Sequence, residues 1–133
     1  MVLVDTSVLI GYLKGLDNKA TDTFQHVLDA GIPFGITSLI YQEVLQGVKS
    51  EKEFASVKEY LDTQKFYSLR DHRESYAAAA TIYYRCRRRG ITIQSTVDCL
   101  IAQTALENNL YLLHDDVDFV RMQGVVKLRF LTL

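Results

Sequence analysis

Short apolar runs alternate along the chain with longer segments whose apolar residues recur at helical spacing. Five runs predict strands, at Val2–Val4, Phe34–Ile36, Phe66–Leu69, Tyr111–Leu113 and Val125–Leu131. Strands separated by helices are typical of a parallel sheet that helices cover. The pattern therefore predicts an α/β protein, and 133 residues are the length of one domain, 1–133.

The segments between the predicted strands favour helices, and residues that promote helix ends bound most of them. These helices are predicted near Ser7–Lys14, Ala20–Asp29, Ser38–Gly47, Glu51–Asp62, Asp71–Arg89, Ser95–Leu106 and Val117–Met122. Ser7, Ser38 and Ser95 are the expected N-terminal caps, because a serine hydroxyl can accept a hydrogen bond from a free amide of the first turn.

Composition narrows the class of protein. The chain is 48% hydrophobic and 23% charged, which is ordinary for a globular domain. No apolar stretch approaches the roughly 20 residues of a membrane span, and we expect no signal peptide. Cys86 and Cys99 form no CxxC pair, so we expect no zinc site and a reducing, cytoplasmic setting. The net charge of −1 gives no general argument for binding nucleic acid.

Four acidic residues are the strongest candidates for chemistry. Asp5 and Asp116 follow predicted strands, whereas Glu43 and Asp98 lie on predicted helices. If the fold brings them together, they form a pocket of like charge with no neighbouring Lys or Arg to neutralise it. Such a pocket is unfavourable unless a divalent cation fills it. The pattern therefore predicts metal-dependent phosphodiester chemistry.

Each acid also has a simpler structural interpretation. Asp5 can cap the helix that follows it. Glu43 can be a solvated residue of a helix surface, although its apolar neighbours place it near the buried edge. Asp98 stands three residues after Ser95, the spacing of a capping box in which the acid accepts from the cap's amide. These alternatives stay open at the level of sequence.

The segment after the fourth predicted strand is unusually acidic. Asp115, Asp116 and Asp118 fall within four residues, directly after His114. One acid can cap the next helix, but the others only repel each other. Asp116 is preferred over Asp115 as the functional acid.

The four acids stand in segments that resemble the PIN-domain nucleases, specifically the VapC-type toxin ribonucleases of type II toxin–antitoxin pairs. The resemblance rests on VLVDTSVLIGYL, SLIYQEVLQGV, STVDCLIAQTALENNLYLLHDDVDF and the closing apolar strand. It implies one PIN domain, folded as a three-layer α/β/α sandwich around a mostly parallel sheet of four to five strands.

The same resemblance implies a metal site and its partners. Asp5, Glu43, Asp98 and Asp116 match the family's catalytic, metal-binding acids, and Asp118 matches a further metal-binding acid. Thr6 and Ser7 match hydroxyl positions that support them. The implied cofactor is Mg²⁺ or Mn²⁺, as one or two ions, and the implied products carry 5′-phosphate and 3′-hydroxyl ends. Family members form homodimers, and an antitoxin protein covers the acidic pocket.

Basic residues suggest where a polyanion could bind. A run of four arginines, Arg85, Arg87, Arg88 and Arg89, is the densest, although cations near a helix C-terminus also offset the helix dipole. Contact with RNA or a partner protein and this simpler role remain equally open. Weaker candidates are Lys49, Lys52 and Lys58, and, as base-stacking residues or core aromatics, Tyr41, Tyr83 and Tyr84.

Three other functions compete with a toxin ribonuclease. A PIN nuclease could process RNA without a toxin role, and a PIN scaffold could bind RNA or a partner without cleaving. A receiver-like signalling domain also gathers acids around Mg²⁺. It needs an acceptor Asp after the third strand and a Lys after the fifth, and Asp71 and Lys127 fit these positions poorly.

Overall fold

The computed structural model describes residues 1–132, which contain one five-stranded sheet. Its strands are β1 (Val2–Val4), β2 (Phe34–Ile36), β3 (Lys65–Phe66), β4 (Tyr111–Leu113) and β5 (Arg129–Phe130). They lie in the order β3-β2-β1-β4-β5, and every neighbouring pair is parallel. The predicted α/β class with a central parallel sheet is therefore confirmed.

Seven helices connect the strands in the described part of the chain. They are α1 (Thr6–Leu13), α2 (Lys19–Asp29), α3 (Ser38–Gln46), α4 (Glu51–Asp62), α5 (Glu74–Arg88), α6 (Thr96–Glu107) and α7 (Val117–Met122). Within residues 1–132, no helix combines the length and the hydrophobicity that a membrane crossing needs.

Two predicted strands and two predicted helix caps need correction. The strands predicted at Phe66–Leu69 and Val125–Leu131 are shortened to β3 and β5. The amides of Val125 and Val126 donate to the Met122 carbonyl and close the end of α7, so they are not available to a strand. Asp5 caps α1 in place of Ser7, and Thr37 caps α3 in place of Ser38.

The hydrophobic core lies on both faces of the sheet. Val2, Leu3 and Val4 of the central strand β1 are all buried, which is why this strand is an unbroken apolar run. Cys86 and Cys99 are free and buried, as small apolar side chains would be.

The register of the sheet sets the position of the candidate acids. Val4 of β1 pairs with Leu113 of β4, so Asp5 and His114 leave the sheet side by side. In parallel sheets the carboxyl ends of the strands share one edge, where ligands bind. The Asp5 amide donates to the Leu113 carbonyl across this edge at 2.9 Å, which holds the two chain segments together.

Candidate metal centre

Asp5 is a buried acid with one oxygen bound and one free. Its Oδ2 accepts hydrogen bonds from the Ser7 amide at 3.1 Å and the Ser7 hydroxyl at 2.6 Å, which caps α1. Its Oδ1 is buried and has no hydrogen-bond partner among the described residues. Burial raises the pKa of Asp5 to about 6, against the Ser7 bonds that lower it. The capping interpretation is correct for Oδ2, but it does not account for Oδ1.

Glu43 lies beside this acid and is not a solvated surface residue. Its side chain is partly buried, and Oε1 accepts a hydrogen bond from the Thr6 hydroxyl at 2.8 Å. Its charge is also one of the causes that raise the pKa of Asp5, which shows that the two carboxylates are close. The Thr6 and Ser7 hydroxyls therefore each donate to a different acid, Glu43 and Asp5 respectively.

Asp98 is a buried acid with the most strongly raised pKa of the group. It is 8% exposed in the first turn of α6, and its buried Oδ2 lacks a hydrogen-bond partner within residues 1–132. Burial comes first among the causes that raise its pKa to about 8, followed by the charges of Asp5, Asp116 and Asp118. The predicted capping box is wrong, because the Ser95 amide donates to Asp118 instead.

Asp116 faces Asp98, whereas Asp115 is exposed. One oxygen from each of Asp98, Asp116 and Asp118 lies within 4.8 Å of the others. Asp116 caps α7, and its Oδ1 accepts from the Asp118 amide at 2.9 Å. The Asp115 side chain is exposed, and its amide donates to the Ser7 hydroxyl at 3.0 Å. The geometry thus favours Asp116 for contact with an ion.

Asp118 is a buried acid whose two oxygens both have partners. Oδ2 accepts from the amides of Gln94 and Ser95 at 2.8 Å and 3.2 Å, and Oδ1 accepts from Arg121 at 3.2 Å. These bonds fix the loop that leads into α6, and so fix Asp98. Asp118 thus has an arginine partner, whereas no salt bridge within residues 1–132 involves the four candidate acids Asp5, Glu43, Asp98 and Asp116. Arg121, three residues after Asp118 on α7, was the sequence signal for this pair.

The acids form a donor set that fits a hard divalent cation. Carboxylate oxygens are the preferred ligands of Mg²⁺ and Mn²⁺. Two buried oxygens, on Asp5 and Asp98, lack partners in the described chain. Burial first, and repulsion between the acids second, raises the pKa of both carboxyl groups above the ordinary value. A cation would replace the protons of these groups and relieve the repulsion. The arrangement beside the sheet edge is therefore suited to a divalent cation.

The other candidate residues lie on the surface. Arg85, Arg87, Arg88 and Arg89 are all exposed at the C-terminal end of α5. Lys49, Lys52 and Lys58 are exposed too, and Lys58 is paired with Asp62 at 2.8 Å. Tyr41 also donates to Asp62, Tyr83 is partly buried, and Tyr84 is exposed.

The receiver-like alternative finds no support in these side chains. Asp71 is exposed, and its Oδ1 accepts from the amides of Arg73 and Glu74 at the start of α5. It therefore acts as a local cap. Lys127 lies outside β5 and is exposed.

Comparisons with known proteins identify relatives of this chain. Two relatives are VapC ribonuclease Mb1587 of Mycobacterium bovis and ribonuclease VapC11 of Mycobacterium tuberculosis. Each is 28% identical over 120 residues, which cover 90% of this chain and 89% of the relative.

Solved structures show the same fold. A toxin–antitoxin complex from Klebsiella pneumoniae matches with a TM-score of 0.70 and 20% identity, over 98% of this chain and 100% of that one. VapBC2 from Rickettsia felis, bound to a DNA fragment from their promoter, matches with a TM-score of 0.70 and 15% identity, over 98% and 97%. The family description "PIN domain" matches residues 2–125. The chain belongs to the PIN-domain family.

Proposed function

We propose that this chain is a metal-dependent endoribonuclease and the toxin of a toxin–antitoxin pair. The observation that carries the proposal is the buried oxygen of Asp98, which lacks a partner in the described chain and lies among other acids. A structural carboxylate would be expected to have a hydrogen-bond partner when buried. The relatives named as ribonucleases support RNA as the substrate.

The four acids Asp5, Glu43, Asp98 and Asp116 would hold one or two Mg²⁺ or Mn²⁺ ions. When bound, such ions supply a water of lowered pKa and charge stabilisation at the scissile phosphate. The protein's own part is to hold the acids in place. Asp98 and Asp5 give up their protons when they bind the cation, which makes binding weaker at acid pH.

The neighbouring polar residues would serve as supports. Ser7 holds Asp5 by two hydrogen bonds, and Thr6 holds Glu43 by one. Asp118 is close enough to share an ion, but its oxygens already accept from Gln94, Ser95 and Arg121. We assign it mainly to positioning the loop before α6.

The proposal includes an antitoxin partner, a homodimer and a cytoplasmic location. Support for the antitoxin comes from structural neighbours described as toxin–antitoxin complexes.

Toxicity separates this function from that of a PIN nuclease that only processes RNA. Induction of the chain should arrest growth, and co-expression of a small protein encoded immediately upstream should restore it. Sequencing of RNA ends after induction would identify the target. Cleavage without growth arrest would favour the processing nuclease.

A cleavage assay tests the chemistry directly. The purified protein should cut RNA with Mg²⁺ or Mn²⁺, leave 5′-phosphate ends, and lose activity in EDTA. Asp5→Asn and Asp98→Asn should each lower the rate at least about 100-fold, since each removes a charge from the proposed site. Asp115→Asn is the matched control. This variant should keep wild-type activity, because the Asp115 side chain is exposed. Full activity in Asp98→Asn would refute the proposed site.

A further inference from the structure

A basic cavity lies at the C-terminal end of α5, outside the acidic site. Its volume is about 390 Å³, and its walls are Arg85, Arg88 and Arg89 on one side and Gly124 and Val125 on the other. The wall residues Gly124 and Val125 directly follow the end of α7. Asp116 caps the other end of α7, so this helix connects the cavity with the proposed metal centre.

The three arginines of this cavity have no acidic partner in the described chain, and hydrogen bonds orient two of them. Within residues 1–132, none of them forms a salt bridge with an acid. Arg89 donates to the carbonyl oxygen of Gly124, and Arg88 donates to the Tyr84 hydroxyl at 2.9 Å. A planar guanidinium with free donors is well suited to bind a phosphate by two hydrogen bonds.

Helical geometry separates these residues from the fourth arginine of the run. At 3.6 residues per turn, Arg85, Arg88 and Arg89 share one side of α5, and Arg87 lies about half a turn from Arg85. The Arg87 guanidinium lies over the Tyr83 ring, 5.8 Å from its centroid. A general offset of the helix dipole would need no such clustering around a cavity.

The distance from the acids suits a nucleic-acid strand. Asp116 and Gly124 lie at opposite ends of α7, whose six residues extend about 9 Å, and the residues at its two ends lengthen this span. A stacked strand carries one phosphate per about 3.4 Å, so about three or four phosphates cover it. A strand with one phosphate at the acids could therefore place another in the cavity.

We propose that the cavity of Arg85, Arg88 and Arg89 binds a backbone phosphate of the RNA, about three or four nucleotides from the cleaved bond. This inference rests on the proposed nuclease function. The phosphate fits three guanidiniums that form no salt bridge with an acid in the described chain. Backbone contacts of this kind fix register without reading sequence. An acidic segment of a partner protein would use the same donors, and the experiment below separates the two.

Binding of single-stranded RNA tests the cavity without cleavage. We would measure fluorescence anisotropy with an RNA of about 12 nucleotides in EDTA. The double variant Arg85→Gln/Arg88→Gln is compared with Arg73→Gln/Arg87→Gln. The control removes the same charge from two exposed positions outside the cavity, the N-cap of α5 and its last turn. The RNA affinity of the cavity variant should be about tenfold lower than that of the wild type. The affinity of the control variant should be lower by less than about threefold. The slope of log affinity against log salt should fall by about 0.7 in the cavity variant, because the contact with one phosphate is lost.

Several results would overturn the cavity assignment. Equal weakening in both double variants would show only general attraction by charge. Unchanged RNA binding together with lost antitoxin binding would assign the cavity to the protein partner. If the cavity variant does not fold, phenylglyoxal labelling of the wild type replaces it. RNA should then protect Arg85 and Arg88 more than Arg87, and equal labelling would refute the inference.

Substrate length separates this inference from the proposed function. The cavity variant should cleave a long RNA more slowly than the control variant does. The two should cleave a trinucleotide alike, because that substrate is too short to reach the cavity. If the wild type cleaves no RNA, the proposed function fails. If it cleaves RNA and the two double variants behave alike on long substrates, only the cavity assignment fails.

Discussion

Replacement of Asp98 by asparagine should stabilise the metal-free protein at alkaline pH while it abolishes nuclease activity. Asp98 has a pKa of about 8 in the folded chain against an ordinary value of 3.8, because it is buried among other acids. Between these two values the folded state keeps a proton that the unfolded state has lost. The free energy of unfolding therefore falls as the pH rises from about 4 to about 8.

The size of the effect follows from the two pKa values. Each pH unit between them is worth about 1.4 kcal/mol, which sets an upper limit of about 6 kcal/mol. Asp5 and Asp116 share the repulsion, and the neighbouring Asp116 is only partly buried, so we expect about half of this limit, about 3 kcal/mol. Asparagine cannot ionise, and Asp98 Oδ2 has no hydrogen bond to lose among the described residues.

Urea unfolding in EDTA, from about pH 4.5 to pH 8.5, measures this difference. The wild type and Asp98→Asn should have similar midpoints at acid pH. At pH 8 the midpoint of the variant should be higher by about 1.5 M, for a denaturant slope of about 2 kcal/mol/M. Asp115→Asn is the control and should follow the wild type, since its side chain is exposed. If the stability of Asp98→Asn falls with pH as much as that of the wild type, Asp98 is not the group whose raised pKa causes this loss.

Three further changes test other contacts. Asp118→Ala should destabilise the protein by about 2–4 kcal/mol in urea unfolding, because the amides of Gln94 and Ser95 lose their acceptor; an unchanged midpoint would contradict this. Gly35→Ala should cost about 1–3 kcal/mol by the same measurement, because the new Cβ would lie 2.3 Å from the Tyr67 ring; wild-type stability would argue against this packing. Mn²⁺ should raise the melting temperature more at pH 8 than at pH 5.5, because protons compete with the ion; a larger rise at acid pH would contradict the carboxylate site.

The apolar pattern predicts the inner strands well and the outer strands poorly. Strands β1, β2 and β4 are found at their predicted positions. All residues of β1 and β2 are buried, and so are Leu112 and Leu113 of β4, which makes each strand a short apolar run. At the sheet edges, apolar residues continue beyond the paired segment. Tyr67 still donates to the Ile36 carbonyl, but the strand assignment ends at Phe66. Hydrophobicity alone does not show where pairing stops.

The positions of the acids were predictable, but their partners were not. Asp5 and Asp116 follow strands that share one edge, so their proximity follows from the parallel sheet. Glu43 binds Thr6, 37 positions away, and the Ser95 amide binds Asp118, 23 positions away. Local spacing favoured a bond between Ser95 and its neighbour at i+3, but a distant carboxylate took that amide.

The hydrogen bonds that each carboxylate accepts distinguish the role of Asp118 from that of Asp98. Asp118 and Asp98 are both buried, at 1% and 8% exposed, and both lie in the first turn of a helix. Asp118 accepts three hydrogen bonds, whereas Asp98 Oδ2 accepts none from the described chain. Removal of the Asp118 carboxylate should therefore destabilise the fold, and neutralisation of Asp98 should stabilise it at alkaline pH. Opposite effects on stability from two acids so close together are expected only if Asp98 is held ready for a ligand that the folded chain itself does not provide.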